Sequence, residues 1–243
     1  ETLRQRMDII GRTLRDEILA ANITMFNTIG VKPSSLPCGF VPVDIDVTPC
    51  DNSKTSKEGV SRTYKGFDGY APIMAYIGDE GFLVNTELRE GKQHSQKGTP
   101  DFLRETLRLA HQMTDQQLLI RMDSGNDAAE NLGILIEDGS WFVIKRNMRR
   151  GETKEGWLEK VQDCCKDIRH PREGKTVYIG SSWKDVPYTT VNGEHKTICL
   201  RIGYEIIERD WKSGRIDLDI IALEDTTLVV VEVKTRRNRL FGD

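Results

Sequence analysis

The chain has 243 residues, of which 37% are hydrophobic and 30% charged, and its formal net charge is −3. That composition fits a globular protein with a moderate core. It holds no apolar run near the roughly 18 residues needed for a membrane span, so no membrane partner is expected. The charged opening ETLRQRMDII carries no secretory signal and no initiating Met, as expected of a fragment. Five cysteines (Cys38, Cys50, Cys164, Cys165, Cys199) form no CxxC pair and no HExxH motif is present, which favours a reducing cytoplasm and argues against zinc.

Residues 1–28 repeat apolar side chains at helical spacing (Leu3, Met7, Ile10, Leu14, Ile18, Leu19), and VKPSSLPCG stops that helix. FVPVDIDVT then alternates. Val41, Val43, Ile45 and Val47 point one way, and Asp44 and Asp46 the other, which predicts a strand with two carboxylates on one face. Residues 51–68 read as a polar loop. YAPIMAYIG and GFLVNTELREG read as a hairpin about Asp79 and Glu80. TPDFLRETLRLAHQM (99–113) is an amphipathic helix with Thr99 as N-cap, Pro100 in the first turn, and a stripe of Phe102, Leu103, Leu107 and Ala110. QLLIRMDSG is a strand ending at Asp123, NDAAENLGILIEDG (126–139) a helix closed by Gly139, and SWFVIKRNM (140–148) a fifth strand. GWLEKVQDCCKDI (156–168) reads as a further helix with Cys164 and Cys165 as packing residues, and residues 172–208 are β-rich. The order from 40 to 148 is β-β-β-α-β-α-β, an α/β mixed sheet with helices on its faces.

Asp123 stands at the lip of an apolar strand, where it is either a turn or N-cap residue or a rigidly held ligand. The element order makes the strands at 41–48 and 117–123 neighbours, which sets Asp46 beside Asp123. A carboxylate pair of this kind suits a hard divalent cation such as Mg²⁺, with substrate phosphates completing the shell. The runs KRNMRR (Lys145, Arg146, Arg149, Arg150) and KTRRNR (234–239) are either solvated strand ends or DNA-phosphate contacts. Gly151 and Gly156 have the spacing of a phosphate loop, but Trp157 stands where Lys is required, so nucleotide binding is rejected.

The motifs DIDVTPCDNSKTSKEGVSRTYKGFDGYAPIMAYIG, GFLVNTELREGKQH, LLIRMDSGND and FVIKRNMRR, in that order, resemble DDE transposases of bacterial insertion sequences, in particular the family numbered thirteen-eighty. The resemblance runs over about residues 1–202. It implies an RNase-H-like fold and metal-dependent DNA cleavage and strand transfer with Mg²⁺ (or Mn²⁺). It also implies insertion-sequence ends as the DNA partner, a homodimer in a synaptic complex, and a bacterial cytoplasmic location, nucleoid-associated when DNA-bound. The first catalytic aspartate falls on Asp46, with Asp44 as the local alternative, and the second on Asp123. The family's third carboxylate, a glutamate on a helix after the β-rich insertion, has no match after residue 202. Glu155 and Glu159 precede the insertion and are poor substitutes, so weak metal binding and crippled strand transfer are expected.

From Gly203 the text changes. IDLDIIA and LVVVEVK read as two strands about the turn LEDTT, a register that sets Asp219 opposite Glu232 and Asp217 opposite Lys234. The face so formed is either a salt-bridged hairpin surface or an acidic site. This segment resembles the small bacterial YraN-type proteins of the PD-(D/E)xK nuclease fold. That likeness implies Asp219 and Glu232 as metal ligands and Lys234 as the charge-stabilising group. The expected organisation is an N-terminal helix and linker (1–39), an RNase-H-like core (40–171), a β-rich insertion (172–209) and a nuclease-like C-terminal β-hairpin (210–243), with a join near 201–210. The expected function is a truncated and fused DNA transposase. The alternatives are an inactive DNA-binding remnant and a nuclease acting through the C-terminal hairpin.

Overall fold

The computed structural model describes residues 14–146, 165–172, 175–209 and 215–221, together with positions 151, 153, 156 and 159. Helix α1 (Arg15–Thr28) opens it. Strand β1 (Val41–Val47) and three short strands, β2 (Cys50–Asp51), β3 (Ser61–Arg62) and β4 (Asp68–Tyr70), follow. Then come β5 (Ile73–Ile77), β6 (Phe82–Glu87), α2 (Thr99–Ala110), β7 (Leu118–Met122), a 3₁₀ turn (Ser124–Asn126), α3 (Ala129–Asp138) and β8 (Trp141–Arg146). The remaining strands are β9 (Cys165–Arg172), β10 (Lys175–Thr189), β11 (His195–Arg209) and β12 (Arg215–Ile221).

The central sheet runs β6-β5-β1-β7-β8-β12-β11-β10-β9. Its first five strands have the RNase-H-like order expected from the sequence. β5 and β6 form a hairpin, and β5 pairs antiparallel with β1. β1, β7 and β8 are parallel, because α2 and α3 carry the chain back across the sheet between them. Pro42 fits within β1 because the ladder to β5 begins only at Val43, so its missing N–H breaks no rung on that side.

The odd-numbered residues of β1 enter the main core, as their alternation predicted. Val41, Val43, Ile45 and Val47 pack with Leu118, Ile120 and Met122 of β7, Phe102, Leu103 and Leu107 of α2, and Leu132 and Leu135 of α3. Each fully buried aliphatic side chain contributes about 1.5–3 kcal/mol of transfer free energy. The opposite parity holds a smaller cluster, Leu119 and Val143, covered by Leu36, Phe40 and Trp141.

Several expectations change. The loop at 51–68 contains the small sheet β2-β4-β3. Thr99 is not the N-cap of α2. Gly98 occupies that position at φ 77°, and Thr99 turns its hydroxyl back onto the Ser95 carbonyl. In α1, Leu19 and Ile23 are buried while Ile18 is 61% exposed, because α1 rests on β6 through Asn22, whose Nδ2 donates to the Leu83 carbonyl (3.0 Å). Leu3, Met7 and Ile10 lie outside the described residues. Cys165 begins a strand rather than continuing a helix, since pairing of 165–172 with β10 outweighs the local helical spacing.

β12 pairs antiparallel with β11 on one edge and with β8 on the other. Asp219 therefore faces Gly203 and Lys145 in the ladder. Residues 222–243, including Glu232 and Lys234, lie outside the described residues. β11 and β12 supply an antiparallel C-terminal strand pair.

Candidate active site

The face of the parallel strands that carries Leu119 and Val143 changes character along its length. At the N-terminal end lie Leu119 and Val143. One step on, Arg121 grips Asp44 with both arms, Nε to Oδ1 and Nη2 to Oδ2, each at 2.5 Å. The parallel register pairs Asp44 with Arg121 and Ile45 with Met122. Its continuation by one residue sets Asp46 beside Asp123 at the carboxyl ends of β1 and β7, about 4.8 Å apart at the backbone.

Each aspartate is held locally. Asp46 Oδ1 accepts from its neighbour's N–H, Val47, at 2.8 Å. Asp123 is extended (φ −78°, ψ 175°) and caps the turn at Ser124–Asn126, as the capping reading expected. Its Oδ1 accepts from the Gly125 N–H (3.1 Å) and from Asn126 Nδ2 (2.7 Å). Partial burial and then the Asp123 charge push the Asp46 carboxyl above its ordinary range. The Val47 N–H and Lys65 oppose this, and Asp44 adds a smaller push. The Tyr64 phenol is also pushed up, by partial desolvation and then by Asp46 and Asp123, which places the turn 63–66 at the pair. That turn is closed by Gly66 N–H to the Thr63 carbonyl (3.0 Å), with Gly66 at φ 87°.

Asp46 and Asp123 are thus brought together as the sequence suggested. Asp44 shares their face but is neutralised by Arg121. Two hard carboxylates with mutual repulsion are a chemically suitable donor set for Mg²⁺ or Mn²⁺. Among the described residues no group of three or more His, Cys, Asp or Glu side chains forms a metal cluster.

Of the expected DNA contacts, Lys145 lies next to Asp123 when the β7–β8 register is continued by one residue. Arg146 is only 7% exposed, which removes it from any surface set, because its side chain falls on the core parity of β8. Arg149 and Arg150 lie outside the described residues. The sequence reading missed Arg121, Tyr64, Lys65, Ser95 and Asn126. The turn signal Tyr64-Lys65-Gly66 was present, but its position over the aspartates depends on the small sheet.

Residues 28–189 match the family described as transposase DDE domain, group 1. Residues 196–243 match the uncharacterised protein family UPF0102. A UPF0102 protein of Bacteroides thetaiotaomicron is 54% identical over 40 residues, covering 16% of this chain and 33% of the relative. One from Caldicellulosiruptor saccharolyticus is 45% identical over 53 residues, covering 21% and 45%. The chain thus spans less than half the length of these curated relatives. Among solved structures, a piggyBac transposase synaptic complex with hairpin DNA aligns with a TM-score of 0.37 and 10% identity, over 77% of this chain and 34% of that one.

Proposed function

Because the chain belongs to the transposase DDE domain group 1 family, we propose that it is a DNA transposase core whose Asp46 and Asp123 hold Mg²⁺ or Mn²⁺ against a phosphodiester. The observation that carries this reading is the placement of the two aspartates on adjacent parallel strand ends, with the Asp46 carboxyl pushed up partly by Asp123. A divalent ion there would supply charge neutralisation at the phosphate and activation of the attacking oxygen.

The chain's own residues divide the work. Asp46 and Asp123 bind and orient. Lys65, close enough to lower the Asp46 carboxyl, sits where a DNA phosphate would approach, and Lys145 is the part-exposed one of the two described residues of KRNMRR. Among the described residues no third carboxylate joins the pair, and weak binding and slow transfer are the expected consequence. In this reading 1–39 is the N-terminal helix and linker, 40–171 the core, 172–209 a β-rich insertion and 210–243 a nuclease-like segment contributing Asp219, Glu232 and Lys234. The DNA partner is an insertion-sequence end, engaged by a homodimer in the bacterial cytoplasm. No described helix is long and apolar enough to cross a membrane.

The test is cleavage of DNA carrying candidate element ends in Mg²⁺ or Mn²⁺ by wild type, Asp123→Ala and Glu232→Ala. Activity lost in Asp123→Ala alone supports the proposal. Activity lost only in Glu232→Ala makes the C-terminal segment the nuclease. A wild type that binds but never cleaves DNA is a remnant, and the enzyme reading falls.

A further inference from the structure

Arg89 is 3% exposed, yet it lies beyond the end of β6 and outside the carboxylate pair. Burying a guanidinium costs several kcal/mol unless it is well paired. Its Nε donates to Glu87 Oε1 (2.6 Å), and its Nη1 to the Ser95 carbonyl (3.0 Å) and Thr99 Oγ1 (3.1 Å). The guanidinium also lies 5.8 Å from the centre of the Phe102 ring. The two loop partners, Ser95 and Thr99, belong to the segment 92–99 that leads into α2.

Two hydrogen-bonded paths run from that segment to Asp123. In the first, Ser95 Oγ donates to the Gly125 carbonyl (3.1 Å), and the Gly125 N–H donates to Asp123 Oδ1 (3.1 Å). In the second, Gln96 and Asn131 exchange amide hydrogen bonds (3.3 and 3.0 Å). Asn131 Nδ2 then donates to the Asn126 carbonyl (2.9 Å), and Asn126 Nδ2 to Asp123 Oδ1 (2.7 Å). Asn126 and Asn131 are fully buried. The packing is tight, since a Cβ added at Gly125 would lie 2.6 Å from Ser95 Oγ and 3.2 Å from Asp123 Oδ1. Both paths end on Oδ1.

We infer that segment 92–99 is a strap that fixes the Asp123 carboxylate, and that buried Arg89 anchors the strap as a positioning residue for the metal site. The inference rests on the reading of Asp123 as a metal ligand. Arg89 touches no reacting atom. It holds the Ser95 carbonyl, which sets the Ser95 hydroxyl against the turn that aims Oδ1.

The experiment uses the full chain and three variants: Ser95→Ala, Arg89→Lys and Gly125→Ala. Arg89→Lys keeps the charge beside Glu87 and Phe102 but loses the fork. Gly125→Ala presses the turn away from the strap. Ser95→Ala removes one part-buried hydroxyl and keeps the test open if Arg89→Lys does not fold. Two readouts are taken on samples that keep cooperative melting: deuterium uptake at 123–127 without metal, and Mn²⁺ affinity by electron paramagnetic resonance. Loss of one net hydrogen bond predicts about fivefold faster exchange at 123–127 and about fivefold weaker Mn²⁺ binding, with β1 and α1 unchanged. A purely structural Arg89 would change melting but leave Mn²⁺ affinity alone. Unchanged exchange and affinity in Ser95→Ala and Gly125→Ala, with wild-type Mn²⁺ binding intact, overturn the strap alone. No Mn²⁺ binding by the wild type overturns the metal site and the anchor's role with it.

Discussion

Asp46→Asn should make the metal-free protein more stable, although it destroys the proposed site. With the two backbones about 4.8 Å apart, the Asp46 and Asp123 charges sit about 5–6 Å from each other. At an effective dielectric of about 20 their repulsion is about 3 kcal/mol. Both residues are solvent-exposed, and screening reduces this to about 1 kcal/mol. Asn keeps an acceptor for the Val47 N–H and forfeits only the weaker attraction of Lys65. A gain of about 1 kcal/mol raises Tm by about 2–4 °C in a protein of this size. The pH dependence has a definite sign. The folded-state carboxyl of Asp46 lies above its ordinary 3.8. Its protonation therefore favours folding below that value, and the advantage is lost as pH rises through the raised one. The stabilisation by Asn is accordingly largest at neutral pH and shrinks toward pH 4. Mn²⁺ at about 100 times its Kd should reverse the ranking, adding about 2.7 kcal/mol to wild type and nothing to the variant. Thermal melts from pH 4 to 8, in EDTA and in Mn²⁺, measure all of this. A variant that melts below wild type in EDTA at pH 7, or a gap independent of pH, would refute the assigned repulsion.

Asp44→Ala should cost only about 0.5–1 kcal/mol, since the Arg121 pair is partly exposed, and should leave Mn²⁺ affinity within about threefold. An affinity loss as large as that of Asp46→Asn would transfer the first ligand to Asp44. Gly133→Ala, ordinarily favourable inside a helix, should destabilise by about 2–4 kcal/mol in urea unfolding, because its Cβ would meet the Thr189 carbonyl at 1.7 Å. A neutral result would mean that α3 and β10 do not pack as described. Asn85→Leu should cost about 2–3 kcal/mol by the same assay. It strips the Thr106 hydroxyl and Phe102 carbonyl of a buried donor and Arg15 Nη2 of its acceptor. A loss below about 0.5 kcal/mol would show that these groups find water.

The carboxylate pair was legible because it needs only two local patterns. Alternation in VPVDIDV fixes the face of Asp46, and the crossover through α2 makes β1 and β7 parallel neighbours. The rest depends on contacts the sequence does not bring together. Arg89 reads as one more charge after a strand, and only tertiary packing over Phe102 makes it a buried anchor. Thr99 carries a capping signature, yet Gly98 takes the cap because its left-handed backbone frees the Thr99 hydroxyl for Ser95. The pairing of β12 was illegible for a related reason. Residues 215–221 have a local partner in the text, but β8 and β11 occupy both edges of β12.

The two family matches meet at a place where joining them disturbs little. One ends at residue 189 and the other begins at 196, on either side of the turn 190–194. That turn is closed by Thr190 N–H to the Glu194 carbonyl (2.9 Å), with Gly193 at φ 83°. Tight surface turns tolerate changes of sequence, and the ladder runs without a break from Thr189–His195 beside this turn to Lys175–Arg209. The second segment then returns through β12 to cover the β8 edge, which would otherwise present unpaired backbone groups. Chemically it restores less. Asp219 enters the sheet opposite Lys145, two strand spacings (about 10 Å) from Asp123, and the residue beside Asp123 in that row is a lysine. A cation has the wrong sign for a further metal ligand. β12 therefore completes the sheet and, in the proposed reading, adds no further ligand beside Asp46 and Asp123, which is why weak metal affinity is expected.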